Sequence, residues 1–442
     1  MKKILLVLLT MTTIFFLAAC GGDDNSSSEA DASTDDTSGN NEDASEDASG
    51  EDVTIRVAWW GNQPRHDYTM EVIKMYEEQN PHVNIEAEYA SWDDYWQKLA
   101  PQAAANELPD IIQMDLSYLA QYANNGQLAD LSQFFDSAID VSNITEDIID
   151  GGRIDDGIYG FNAGVNAVGF QYNPALAEEH GIEIPGDDWT WDDYQEISKK
   201  AVEAGIYFDT GMQPDVFFNY YLRQHGDRLY AEDGSGLGYE DDQLFIDFFT
   251  MIQEQVEKEA TPTPDFLAQL AGPEDDPVVK GEGIGVFQWS NQFVGLEQTS
   301  GLEFSMVPMP GPNVSDGLFL KPSMFWSVSE NSAAKEEAAK FIDFFINDIE
   351  ANKLILGERG VPVSSVVKEA LLEEVSESQA KVFEYIAWVE ENSTPMGAPD
   401  PAQAGEIIDL LTNLSEQVAY GQTTPEDASS HFRQQAESIL GN

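Results

Sequence analysis

The chain has 442 residues, 42% of them hydrophobic, which is enough to bury the cores of about two domains once a leader is set aside. Asp and Glu number 81 against 21 Lys and Arg, a formal net charge of -60. A field of that sign repels phosphate backbones and anionic membrane surfaces, so nucleic acid is excluded as a partner, and it suits a protein kept soluble outside the cell.

The first residues, MKKILLVLLTMTTIFFLAAC, place Lys2 and Lys3 ahead of an apolar run too short for a stable membrane span, followed by small residues and Cys20. Residues 1–19 therefore read as a signal peptide. Leu17, Ala18, Ala19 and Cys20 resemble the lipobox of bacterial lipoproteins, in which the cysteine receives lipid and becomes the mature N-terminus. Cys20 is the only cysteine, so no intramolecular disulfide can form. The stretch that follows, to residue 51, is Ser, Gly, Asn and acid without a large apolar side chain. Such a composition cannot offset the entropy of folding, and its like charges make it an extended, disordered tether.

Folded structure is expected from VTIRVAWW, where Val53, Ile55 and Val57 alternate with Thr54, Arg56 and Ala58 as in a half-buried strand. Asn62 is a good N-cap, Pro64 fits a first helical turn, and Tyr68, Val72, Ile73 and Tyr76 keep helical spacing up to QNP. HVNIEAEYA alternates again, WDDYWQKLAPQAAANEL reads as helix, and PDIIQMD as a short buried strand. This βαβ order predicts parallel strands with right-handed crossovers, and ligands of such sheets bind beyond the carboxyl ends of the strands. Trp59 and Trp60 end the first strand, Tyr89 and Trp92 lie at the second, and Met114 and Asp115 at the third. Of the first pair, Trp60 is expected in a cleft and Trp59 turned into the core, because neighbours on a strand point to opposite sides.

Further on, KGEGIGVFQWSNQF is a strand ending in Trp289, EFSMVPMPGP and LKPSMFWSVSE are two more short strands, and the remainder is mostly helical. AEDGSGLGYEDDQ reads as a turn, because Asp233 and Ser235 lack the other ligands of a calcium loop. No catalytic or cofactor signature stands out. His66, His82, His180, His225 and His431 have no zinc spacing, GxSxG and P-loop motifs are absent, and GEGIGV lacks the spacing of a dinucleotide loop. No metal and no cofactor is expected. The aromatics carry more information, since Trp59, Trp60, Trp92, Trp289 and Trp326, among nine tryptophans, fall at or near strand ends or turns. Flat indoles stack on the C–H faces of sugar rings, whose hydroxyls need amide and carboxylate partners such as Asn62, Asn166 and Asp115.

The order of segments YEEQNPHVNIE, LPDIIQMD, LADLSQF, DGIYGFNAGVNAVGFQYNPAL, WTWDDYQEI, KGEGIGVFQWS, MVPMPGP, SENSAAKEEAAKFIDFFIND, ERGVPVSS and GQTTPEDASSHFRQQAESIL resembles the extracellular solute-binding proteins of carbohydrate ABC importers. That family includes maltose-binding protein, and the likeness spans Val53 to Leu440. It implies an α/β, two-lobed periplasmic-binding-protein-like fold of type II, whose discontinuous lobes are joined by hinge strands. FNAGVNAVGF, LKPSMFWSV and ENSTPMGAPD would be the crossings. Residues 52–165 with 326–390 would form one lobe, and 166–325 with 391–442 the other. The family's ligand positions fall on Trp60, Asn62, Asp115, Asn166 and Trp289, with Trp92 and Trp326 as further aromatic contacts. WWGNQPRH also looks like the opening of members associated with oligogalacturonides, which would make Arg65 the reader of a uronate carboxylate and His66 its helper. The implied protein is a monomeric receptor, lipid-anchored at the extracellular face of the cytoplasmic membrane, that passes an oligosaccharide to ABC permease subunits and is not an enzyme. Two other readings stay open: a surface-anchored polysaccharide-degrading glycosidase, and a polyamine or metal receptor of the same fold.

Overall fold

The structure is a computed structural model that describes residues 52–61, 63–135, 137–270, 273–401 and 403–441. The signal peptide, Cys20, the tether and Asn62 lie outside the described residues.

Strands β1 (Val53–Trp60), β2 (Val83–Ala90) and β3 (Ile111–Met114) are joined through the helices Gln63–Gln79 and Trp92–Ala105, and β1 pairs in parallel with both neighbours. The alternation in VTIRVAWW sorts the side chains of β1. Ile55, Val57 and Trp59 enter one core while Ala58 and Trp60 enter another, so both faces of this parallel sheet are covered. Ser91 starts the helix after β2 by accepting a hydrogen bond from the Asp94 amide, and Asn106 ends it in the left-handed conformation at φ 58°.

A small hairpin of β4 (Arg153–Ile154) and β5 (Gly157–Ile158) leads into β6 (Phe161–Asn166), and β7 (Val168–Tyr172) follows after Ala167 alone. Next come β8 (Tyr207–Asp209), β9 (Gly283–Trp289), β10 (Ser305–Val307) and β11 (Lys321–Val328). Two sheets result, ordered β2-β1-β3-β11-β6 and β10-β7-β9-β8. The chain thus passes between sheets at Ala167 and again between β10 and β11. In the expected turn, Asp233 accepts hydrogen bonds from the Ser235 amide and hydroxyl.

Two boundaries drawn from the sequence meet obstacles. A division after residue 325 would cut β11, which is one continuous member of the first sheet. The helix Glu377–Glu391, expected in the first lobe, packs on the second sheet: Tyr385 donates its hydroxyl to the Val168 carbonyl at 2.5 Å, and Lys381 reaches Glu297 at 3.0 Å and the Phe304 carbonyl at 2.9 Å. The last two helices, Ala404–Ala419 and Pro425–Leu440, also pack on a second-sheet helix, Asp242–Glu257, where Phe432 stacks on Phe245.

Candidate ligand site

Four strand ends converge at the junction of the two sheets. Asp115 follows β3, Asn166 ends β6, Trp289 ends β9, and Lys321 opens the antiparallel β11. Pairing sets Lys321 opposite Asn166 and Trp289 opposite Val168, so the single residue Ala167 brings lysine and tryptophan together. The Lys321 ammonium lies 4.9 Å from the Trp289 ring centroid, within cation–π range. The Trp289 backbone is held on both sides: its carbonyl accepts from Gln171 at 3.1 Å, and the next residue, Ser290, exchanges hydrogen bonds with Ala167. Two adjoining cavities share Leu116, Trp289, Lys321 and Asp400. One adds Asp115, Asn166, Gln292 and Ser323. The other runs toward Asp215, Arg228, Tyr230, Phe319 and Met396.

The electrostatics are mixed. Desolvation by the surrounding protein raises the Asp215 and Asp400 carboxyls above their ordinary value, the charge of Asp215 adds to the rise at Asp400, and Lys321 opposes it in both. Arg223 also borders the second cavity, but its guanidinium is engaged by carbonyls of Gly317, Leu318, Thr394, Pro395 and Met396.

Of the residues singled out in the sequence, Asp115, Asn166 and Trp289 come together here. Asp115 doubles as a helix cap, with Oδ1 accepting from the Ser117 amide at 2.9 Å. Trp60 borders the site without opening onto it. It is 8% exposed, closed over by Trp92, Tyr95 and Trp96 at centroid distances of 5.0, 5.3 and 5.7 Å. Only Trp92 of this cluster is well exposed, and Leu116, which packs on the cluster, lines both cavities. Trp59 is turned into the core as expected.

Three expectations need correction. Arg65 lines neither cavity, because its guanidinium is paired with Glu358 at 2.9 Å. His66 is buried: Nδ1 accepts from the Trp59 indole at 3.1 Å, the ring stacks on Tyr89, and burial together with Arg65 and Arg359 lowers its pKa. Trp326 is fully enclosed against Phe345 and Arg359, since its face of β11 turns to the core. Lys321, Asp400, Asp215 and Tyr230 were missed. Lys321 and Asp400 lie in segments read as crossings, the first also as a strand, and a charged side chain in each was the available signal.

A sequence profile for the bacterial extracellular solute-binding proteins matches residues 71–384. The chain belongs to that family. This solute-binding protein is 23% identical over 396 residues to a putative binding protein of Brucella abortus, covering 84% of this chain and 90% of the relative. Its fold matches an extracellular solute-binding protein of family 1 from Alicyclobacillus acidocaldarius with a TM-score of 0.79 and 28% identity, over 89% of this chain and 100% of the other. A periplasmic oligogalacturonide binding protein from Yersinia enterocolitica matches with a TM-score of 0.76 and 23% identity, over 88% and 99% of the two chains. These two-lobed folds are those of binding proteins, a class that holds its solute without transforming it. Among the described residues of this solute-binding protein, no group of three His, Cys, Asp or Glu is placed to hold a metal ion.

Proposed function

We propose that the chain is the receptor of an ABC importer, anchored through Cys20 at the outer face of the cytoplasmic membrane, and that as a monomer it captures an oligosaccharide and hands it to the permease. The observation that carries this reading is the Trp289 platform at the junction of two cavities, ringed by Asp115, Asn166, Lys321 and Asp400. An indole face beside amide, carboxylate and ammonium groups is the mixture a sugar ring requires. We take the lobes to meet at Ala167 and near Lys321, while residues 392–400, expected as a third crossing, run between helices that both pack on the second sheet. Ligand touching both lobes would favour the closed arrangement, because only there are all contacts made. A uronate-containing ligand is the finer version of this reading. The likeness to the Yersinia protein supports it, and the pairing of Arg65 with Glu358 counts against the arginine as its carboxylate reader.

The test is a titration of intrinsic tryptophan fluorescence with neutral and uronate oligosaccharides, on the wild type and on Trp289→Ala. Saturable, stoichiometric binding without shortening of the sugar, lost in the variant, is the expected result. Release of shorter products would shift the assignment to a glycosidase. Saturation by spermidine alone would shift it to a polyamine receptor.

A further inference from the structure

The polar groups around Trp289 divide into those already engaged and those still available. Arg223 is taken up by backbone carbonyls, Arg228 donates to the Met396 carbonyl at 2.8 Å, and one oxygen of Asp115 caps a helix. Lys321 and Asp400 differ. Among the described residues the Lys321 ammonium donates no hydrogen bond, lying over the Trp289 face within reach of the charges of Asp215 and Asp400, and the Asp400 carboxylate accepts none, although the residue keeps solvent access at the edge where the two cavities meet while the surrounding protein partly desolvates its carboxyl. A donor and an acceptor thus stand beside one aromatic platform with their hydrogen-bonding capacity open, which fits the alternating needs of ring hydroxyls.

We propose that Asp400 and Lys321 are the specificity-determining pair of the cleft, and that they select an uncharged sugar ring over a uronate. The proposal rests on the oligosaccharide-receptor reading and sets a neutral ring in place of its uronate version. A neutral ring stacked on Trp289 offers hydroxyl hydrogens to Asp400 and hydroxyl oxygens to Lys321. A uronate drawn to the same lysine would set its carboxylate beside Asp400, with Asp215 behind and Asp115 across the junction, so like charges oppose it. Discrimination arises from that repulsion as much as from the attraction for the right ring.

The experiment is calorimetry on the full-length protein with maltotriose, xylotriose and cellotriose as neutral probes and trigalacturonate as the acidic one. Wild type, Asp400→Asn, Lys321→Met and Trp289→Ala are compared, with circular dichroism melting to verify folding. Expected is that the wild type binds a neutral trisaccharide and trigalacturonate at least about tenfold more weakly. Asp400→Asn should weaken the neutral sugar about tenfold to a hundredfold and narrow the gap to trigalacturonate. If wild type prefers trigalacturonate, or if Asp400→Asn binds as wild type while Trp289→Ala does not bind, the specificity pair is overturned and the receptor reading stands. If no probe binds, the receptor reading itself falls and takes the pair with it.

Discussion

Arg65 grips Glu358 with two parallel hydrogen bonds, Nε to Oε2 and Nη2 to Oε1, each 2.9 Å long, and Tyr68 donates its hydroxyl to the same carboxylate at 2.6 Å. The adjacent Arg359 is fully buried, donating to Thr69 at 3.0 Å and to Gln113. Residues 358 and 359 therefore bolt the helix Gln63–Gln79 to the body of the first sheet. Replacing Arg65 by Ala removes one arm of a half-screened fork and should lower unfolding free energy by about 1–2 kcal/mol. Oligosaccharide affinity should stay within about twofold, because Arg65 lies outside both cavities. Urea denaturation and calorimetry check the two halves separately, and a tenfold loss of affinity at unchanged stability would return Arg65 to the site.

Trp289 and Trp326 make a matched pair of opposites. Both were expected to touch ligand, yet Trp326 has no exposed surface and packs edge-on to Phe345 with centroids 5.0 Å apart. Trp326→Ala should therefore cost about 3–5 kcal/mol of stability, the range for emptying a core of a large aromatic, while the folded fraction binds sugar normally. Trp289→Ala should do the reverse, abolishing binding with a small change in melting temperature. Thermal melts run beside the fluorescence titration separate the two, and a Trp326→Ala protein that melts like wild type would place that indole outside the core.

Local pattern made much of this fold legible. The two-residue period over Val53–Val57 locates β1, the apolar run in PDIIQMD locates β3, and the Gly-rich entry to KGEGIGVFQW locates β9. The rim was legible too, since Asp115, Asn166 and Trp289 lie at strand ends and line one cavity together. What the pattern could not carry is which groups are already engaged. The partner of Arg65 is 293 residues away, and Trp60 is covered by aromatics of a helix whose docking angle no sequence period encodes. Lys321 and Asp400 gain their meaning only when residues 320–328 and 391–400 are set side by side.

The approaches to those two segments are held by Arg223. Its Nε donates to the Gly317 carbonyl at 3.1 Å, Nη1 to Met396 at 3.1 Å, and Nη2 to Thr394 Oγ1 at 2.7 Å and the Pro395 carbonyl at 3.0 Å. Burial, with the neighbouring Arg228, lowers its pKa to about 10, so it remains charged at neutral pH. One fork thus fixes the approach to Lys321 and the segment that carries Asp400. Lysine cannot reproduce the planar fork, so Arg223→Lys should cost about 2–4 kcal/mol and leave backbone carbonyls without donors. Amide hydrogen exchange across residues 394–400 should accelerate. Protection equal to wild type there would show that the two segments are held without the fork.

Asp209 gives the clearest pH signature. It ends β8, is 1% exposed, and accepts hydrogen bonds from the Gly211 amide at 2.7 Å, the Tyr194 hydroxyl at 2.9 Å and the Thr261 hydroxyl at 3.0 Å. Burial outweighs these bonds and raises its pKa from 3.8 to about 6. Between those values the folded state binds more protons at this site than the unfolded state does, so its contribution to stability falls as pH rises through the window and levels off above it. Asp209→Asn cannot titrate. The unfolding free energy of the variant should therefore rise relative to wild type by about 2 kcal/mol between pH 4 and pH 7, whatever constant offset the amide introduces. Chemical denaturation of both proteins across that range measures the difference while cancelling the other carboxylates, and parallel curves would show that Asp209 keeps an ordinary acidity in the folded protein.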